Sequence, residues 1–236
     1  MTIAARAGAT GTVWRVTTDA RRSAAAIVPS GENRRFVSRG GEKLENALER
    51  LPVEVTDQLC LDIGASTGGF TDCLLQRGAR QVVALDVGYG QLDWGLRNDE
   101  RVVVMERRNA RYLEPGELPY QPDLVTVDVA FISLAKVLPA IVAAMAPEAE
   151  LLALVKPQFE VGRDKVGKGG VVRSAEHRRE ALLGVAEAAR GLGLAVRGFA
   201  SSGLPGPKGN LETFIWCDRS EAGLDDLEAA VREVEP

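Results

Sequence analysis

Three charged residues stand where strands should end, and side by side they could hold or move a proton. Asp128 follows the apolar run Leu124-Val125-Thr126-Val127, and Lys156 follows Leu151-Leu152-Ala153-Leu154-Val155. Glu212 opens the last apolar stretch, after Gly209-Asn210. One charge at a strand end is unremarkable, because strands must end somewhere. Asp128 and Lys156 should fall on neighbouring strands and at the same sheet edge. A lysine beside a carboxylate can assist a poor hydroxyl nucleophile, as a base or as a cationic neighbour.

A second constellation lies upstream. The run Leu59-Cys60-Leu61-Asp62-Ile63 enters the turn Gly64-Ala65-Ser66-Thr67-Gly68-Gly69-Phe70, which opens a helix. Such a turn lets a ligand approach the backbone at a helix N-terminus. Ser66 stands where a dinucleotide fingerprint needs its second glycine, so a pyrophosphate is poorly served. Asp62 would repel a phosphate and suits a cation, such as the ammonium of S-adenosylmethionine. Asp86 ends the next apolar run, 22 positions after Gly64, where a carboxylate can take ribose hydroxyls. The candidate donor residues are therefore Asp62, Gly64, Ala65, Ser66, Gly68, Gly69, Phe70, Asp86, Val87 and Asp128. Asn109, after the third strand, is a candidate contact for an adenine edge or a turn asparagine. The bland alternative for the whole stretch is a structural turn.

The elements that would position these residues alternate regularly from residue 59. Strands are expected at 59–63, 81–86, 101–105, 123–128, 150–155, 194–200 and 211–217, with helices clearest at 134–145 and 175–191. Continuous apolar strands suit a parallel sheet covered on both faces. The expected fold is α/β, a doubly wound, mostly parallel seven-stranded sheet with its site at the strand C-termini. Ser38 can cap a helix carrying Leu44, Ala47, Leu48 and Leu51 on one stripe. Lys43 in that first turn reads, by itself, as a solvated lysine.

The segment 157–173 interrupts the alternation, and a connection that long is usually functional. From residue 160 onward it holds Arg163, Lys165, Lys168 and Arg173 among four glycines. With Arg39, these are the candidate RNA contacts. His177, the chain's one histidine, falls three residues after Ser174, a helix-capping residue type, at a helix start and reads as structural.

The 236 residues are 45% hydrophobic, enough for one sizeable core with some tens of residues to spare. Cys60, Cys73 and Cys217 make no metal spacing and read as small apolar residues in a reducing cytosol. No apolar run reaches transmembrane length, so no membrane partner, no metal and a cytoplasmic location are expected. The net charge of −4 conceals an uneven distribution: residues 1–43 hold eight Lys/Arg against three Asp/Glu. Residues 218–236 hold two against seven. The expected organisation is a basic N-terminal segment at 1–35, a main domain at 36–218 and an acidic helix or tail at 219–236.

Missing motifs narrow the reaction. The fourth strand leads into Asp128-Val129-Ala130-Phe131, not the Asn/Asp-Pro-Pro-aromatic turn of amino-group methyltransferases. No cysteine lies beside a proline or at a strand tip, as a carbon-5 pyrimidine methyltransferase would need. A hydroxyl acceptor remains.

Five blocks in order carry a family resemblance. They are Phe36-Val37-Ser38-Arg39-Gly40-Gly41-Glu42-Lys43-Leu44, Asp62–Asp72, Asp128-Val129-Ala130-Phe131-Ile132-Ser133-Leu134, Lys156-Pro157-Gln158-Phe159-Glu160 and Gly167-Lys168-Gly169-Gly170. Together they resemble the TlyA haemolysin-type methyltransferases, relatives of the FtsJ methyltransferases, over about residues 36–217. The resemblance implies an S-adenosylmethionine-dependent enzyme methylating a ribose 2′-hydroxyl of ribosomal RNA, of cytidine in the TlyA branch. It also implies a Lys-Asp-Lys-Glu catalytic tetrad, which falls on Lys43, Asp128, Lys156 and Glu212. Ribosomal RNA or ribosomal subunits are the implied partners. Members of that family begin with a compact RNA-binding domain, and residues 1–35 are too few for all of it, so a remnant is expected there. The rivals are a small-molecule O-methyltransferase and a non-catalytic ribosome-binding or haemolysin-like protein that keeps the fold.

Overall fold

A computed structural model describes residues 35–235. The expected N-terminal remnant thus falls, except for Arg35, outside the described residues. Seven strands form one sheet: β1 (Leu59–Ile63), β2 (Gln81–Asp86), β3 (Val102–Glu106), β4 (Leu124–Val127), β5 (Glu150–Val155), β6 (Ala195–Ser201) and β7 (Thr213–Asp218). Their order is β3-β2-β1-β4-β5-β7-β6. The pairs among β1 to β5 are parallel, while β7 runs antiparallel to both β5 and β6.

Side chains alternate across the strands and feed two cores. Cys60, Val82, Leu124, Leu152 and Phe214 face α1 (Arg39–Leu48) and α2 (Gly69–Gln76) through Leu44, Ala47, Phe70 and Leu74. Leu61, Ile63, Val83, Val125, Ala153 and Ile215 face the opposite core. That core holds α4 (Leu138–Ala144), α6 (Ala175–Gly191) and α7 (Leu227–Val234), through Ile141, Val185 and Val231. The two short helices are α3 (Trp94–Arg97) and α5 (Pro157–Glu160). Burial of each large aliphatic side chain here contributes about 1.5–3 kcal/mol. Cys60, Cys73 and Cys217 are buried and form no disulfide, and burial pushes the Cys60 and Cys217 thiols up to about 12.

Three local differences from the expected elements have physical reasons. The helix expected at 134–145 is split into a 3-10 turn, Leu134–Lys136, and α4, which carries a proline in its first turn. The acidic C-terminal stretch forms α7, capped by Asp226, and Leu227 and Val231 bury it in the same core as α6. Glu212 precedes β7 instead of opening it, because pairing with β5 begins at Thr213. Among the described residues no helix is long and apolar enough to cross a membrane.

The register does most to position chemistry. Strand order reverses at β1, between β2 and β4, which is where open α/β sheets take ligands. Asp62 pairs with Thr126 and Ile63 with Val127, so Gly64 and Asp128 emerge together. Val155 lies opposite Thr213 in the antiparallel pair, so Lys156 and Glu212 leave the sheet at one edge.

Candidate active site

The four residues implied as a tetrad form two ion pairs. Lys156 Nζ lies 2.5 Å from Asp128 Oδ1, joining the ends of β5 and β4. Lys43 Nζ, on α1, donates to Glu212 Oε2 at 2.5 Å. The pairs differ in access. The Lys43 and Glu212 side chains keep 10% and 1% of their surface and those of Lys156 and Asp128 keep 13% and 23%, so the difference lies chiefly at the carboxylates. Lys156–Asp128 is a close ion contact without hydrogen-bond alignment at Asp128 Oδ1. The ammonium has two further N–H groups to aim elsewhere.

A cavity of about 450 Å³ joins the pairs, with Lys156 and Glu212 both in its wall. Phe131, Phe159, Gln158, Pro207 and Lys208 also line it. Phe131 is 91% exposed at a φ of +64°, a left-handed backbone that a bulky residue rarely adopts. Its ring centroid lies 5.2 Å from that of Phe159. Such an apolar wall beside two ion pairs suits a flat ring whose attached hydroxyl reaches Lys156. Sequence reading assigned no role to these aromatics, although both stand in the quoted blocks.

Asn210 closes one side. It is 2% exposed; its Nδ2 donates to the Gly170 carbonyl at 2.8 Å and its Oδ1 accepts from Val172 N at 2.9 Å. One side chain thereby fastens the glycine-rich segment to the turn that carries Glu212. Gly206 in that turn is a close approach, since a Cβ there would come within 2.3 Å of Glu212 Oε1.

The glycine turn after β1 divides into ligand-facing and packing parts. Gly64 has a φ of +83°, and a Cβ on it would stand 2.3 Å from the Asp128 carbonyl oxygen. Ser66, at a φ of +49°, turns its N–H onto Asp86 Oδ2 at 2.8 Å. Gly88 N donates to the other oxygen, Asp86 Oδ1, at 2.6 Å. A carboxylate has about four acceptor sites, so Asp86 keeps capacity for a diol. Val87 and Tyr89, beside it, are 70% and 66% exposed.

The other donor candidates of the turn pack against the protein. The Phe70 ring is buried and packs on Phe214 with centroids 5.7 Å apart. Gly69 is small because α1 crosses there; a Cβ would meet Ser38 Oγ at 2.2 Å. Gly68 makes room for Leu92 and Leu96, and Ala65 is buried. These positions shape the turn through packing: the Ala65 and Phe70 side chains are buried, and Gly68 and Gly69 have only backbone to offer. Asn109 caps the 3-10 turn Ala110–Tyr112, its Oδ1 accepting from Arg111 N.

Asp62 has no exposed surface. Its oxygens accept from Thr71 Oγ1 at 2.7 Å and Thr126 Oγ1 at 3.4 Å. Burial pushes its carboxyl up to about 7, with the Asp128 charge adding to the rise and the Thr71 and Thr126 hydroxyls opposing it. A neutral or half-neutral carboxyl under the turn is poised to ionise when a cation arrives.

The basic residues disperse. Lys165 pairs with Glu180 on α6, and the Arg39 guanidinium donates to the Pro205 carbonyl at 2.9 Å. Arg163, Lys168 and Arg173 are exposed. His177 lies in the first turn of α6, where its backbone N–H is capped by Ser174.

Comparison with known proteins agrees with this arrangement. The chain matches the FtsJ-like methyltransferase family over residues 36–219. It is 52% identical over 208 residues to the 16S/23S rRNA (cytidine-2′-O)-methyltransferase TlyA of Mycobacterium tuberculosis, covering 86% of this chain and 78% of that one. It is 42% identical over 182 residues to Hemolysin A of Brachyspira hyodysenteriae, covering 77% and 76%. A solved structure from Lactococcus lactis, described as a hemolysin, superposes with a TM-score of 0.80 at 41% identity, covering 84% of this chain and 98% of that one.

Proposed function

The chain belongs to the FtsJ-like methyltransferase family, and from that premise we propose that it methylates the ribose 2′-hydroxyl of a cytidine in ribosomal RNA, with S-adenosylmethionine as donor. The observation that carries the acceptor half is the cavity that puts a Lys156–Asp128 pair beside two aromatic rings. A nucleobase stacks on such rings, and its ribose hydroxyl then reaches the lysine.

S-adenosylmethionine, when bound, supplies a methyl group already made electrophilic by its sulfonium. The residues present fit it. The Gly64 turn admits a backbone-close ligand, Asp86 retains acceptor sites for the ribose hydroxyls, and Asp62 supplies latent negative charge for the cationic end. On the acceptor side, Lys156 receives the hydroxyl proton or stabilises the developing oxyanion. Asp128 orients Lys156 and shares the resulting charge. Holding the two reactants in line accounts for several kcal/mol of the barrier, and proton transfer adds about 10²–10⁴ in rate. Glu212, in the cavity wall, and Lys43, bonded to it from α1, fix the turn before β7 that completes the site. Arg39, Arg163, Lys168 and Arg173 are the proposed phosphate contacts, which position without specifying sequence. Lys165 is available to RNA only by leaving Glu180.

The direct test is transfer of radiolabelled methyl from S-adenosylmethionine to intact ribosomal subunits, protein-free ribosomal RNA and small phenols. Label in RNA supports the assignment. Label only in phenols would make the chain a small-molecule O-methyltransferase.

Asp62 gives the donor site a pH signature. Its folded carboxyl sits near 7, above the ordinary value of about 3.9. It is therefore neutral well below pH 7 and offers a cation nothing there; above pH 7 it is ionised. Donor affinity should rise with pH through about 7, by up to tenfold per unit below it. Stability runs the other way: Asp62's contribution is full below pH 4 and is lost as pH rises through about 7. Calorimetric titration from pH 5.5 to 8.5 should show the affinity rise in the wild type and a flat profile in Asp62→Asn. A parallel rise in both proteins would assign the proton to another group.

A further inference from the structure

Glu160 lies outside the tetrad, yet both of its carboxylate oxygens are spent on the loop that follows Asp128. Oε2 accepts from Ser133 Oγ at 2.7 Å, and Oε1 accepts from Leu134 N at 2.9 Å. Glu160 ends α5, four residues after Lys156, while Ser133 is five residues after Asp128. The carboxylate thus spans the two strand ends that supply the accessible ion pair. On that loop, between Asp128 and Ser133, stands Phe131 in its left-handed conformation against Phe159. Left-handed backbone at a phenylalanine is strained and persists only where neighbours over-determine it. The two hydrogen bonds to Glu160 are the polar ties holding that loop to α5.

We propose that Glu160 is a positioning residue for methyl transfer: it braces the Asp128–Ser133 loop against α5 so that Asp128, Lys156 and Phe131 share one geometry. This rests on the reading of the cavity as the acceptor site. Leu134 is buried and begins the 3-10 turn, so the Oε1 bond also caps that turn and transmits the brace into the core. Ser133 Oγ has a second duty, accepting from Ala135 N at 3.3 Å, which orients its O–H toward Glu160. Burial pushes the Glu160 carboxyl above the usual range, while the bonds from Leu134 and Ser133 oppose the rise. Those same two bonds offset the cost of keeping a carboxylate there. Glu160 is not in the wall of the cavity, so its effect passes through the loop.

The test compares wild type with Glu160→Ala, Glu160→Gln, Ser133→Ala and the Glu160→Ala/Ser133→Ala double variant. With Glu160→Ala, kcat for RNA methylation should fall about 10–100-fold, since misplacement by about 1 Å has that effect. KM for S-adenosylmethionine should stay within about twofold, because the donor turn is on β1. Glu160→Gln keeps an acceptor for Leu134 N and can donate to Ser133 Oγ, so it should recover most of kcat. The double variant should lose no more than Glu160→Ala alone, as expected of residues acting through one contact.

A second readout needs no acceptor. In protein labelled with 4-fluorophenylalanine, the fluorine line assigned by Phe131→Leu should shift or broaden in Glu160→Ala. The lines of buried Phe70 and Phe214 should stay in place. An unmoved Phe131 line, or a kcat loss in Glu160→Ala that tracks lost donor affinity or shifts of Phe70 and Phe214, would overturn the proposal. Wild-type protein that transfers nothing to RNA would instead refute the acceptor reading, and the fluorine result would still decide whether Glu160 holds the loop.

Discussion

Replacing Lys156 with alanine should reduce methyl transfer by about 10³-fold or more while leaving S-adenosylmethionine affinity within about twofold. The size follows from the site. Lys156 is the cavity-lining cation paired with Asp128, and that partner stands at the end of the neighbouring strand, beside Gly64. Removing the amine takes away the proton acceptor and the charge that meets the oxyanion together. Asp128→Asn should cost less, about 10²-fold, because it leaves the amine in place but frees its orientation. Donor binding measured by calorimetry and single-turnover transfer measured on the same preparations separate the two halves of the site. Near-wild-type turnover in Lys156→Ala would remove Lys156 from the chemistry.

The second large effect concerns the buried pair. Lys43 and Glu212 are almost without solvent, so removing one charge strands the other. Breaking such a pair costs about 3–5 kcal/mol, whereas replacing both members with apolar residues of similar volume is often close to neutral. Glu212→Ala should therefore unfold at clearly lower denaturant concentration than wild type. Lys43→Met combined with Glu212→Leu should recover most of that stability. The double variant should nevertheless remain defective in transfer if the pair sets the charge and shape of the cavity wall. Denaturant melts of the two variants, alongside their transfer rates, give the comparison. A double variant that is stable and fully active would reduce Lys43–Glu212 to a packing device.

Much of the sheet was legible in the sequence because its signals are local. The apolar runs at 59–63, 81–86 and 150–155 coincide with β1, β2 and β5. Buried on both faces, those strands leave uninterrupted aliphatic runs in the chain. The turn after Ile63 was equally visible, because few residues other than glycine accept the φ of +83° at Gly64.

What the sequence hid is non-local. The reversed direction of β7 depends on pairing with β5 and β6, and nothing within residues 211–217 encodes it. Yet that reversal is what brings Glu212 beside Lys156. Glycines that serve different neighbours look alike in a sequence; Gly64 makes room for the Asp128 backbone and Gly69 for α1. Phe70 continued the motif by eye but turned into the core. Lys165 looked like a loop cation until its ion pair with Glu180, fifteen residues on, was seen. The cavity itself is assembled from the loop after β4, α5, the glycine-rich segment and the turn before β7, so no single stretch announces it. Asn210 and Glu160 were quoted inside or beside motifs without a role, because their work lies in hydrogen bonds across about 26 to 40 residues.

The central claim is the atom that receives the methyl group, and nucleoside analysis tests it most directly. Ribosomal RNA lacking the modification is incubated with the chain and S-adenosylmethionine carrying a heavy methyl, digested to nucleosides and read by mass spectrometry. Wild type should yield 2′-O-methylcytidine with the heavy label on the sugar, and Lys156→Ala should yield none above background. Heavy methyl on a base, or sugar label that persists in Lys156→Ala, would contradict the assignment of this cavity as a ribose 2′-O-methylation site.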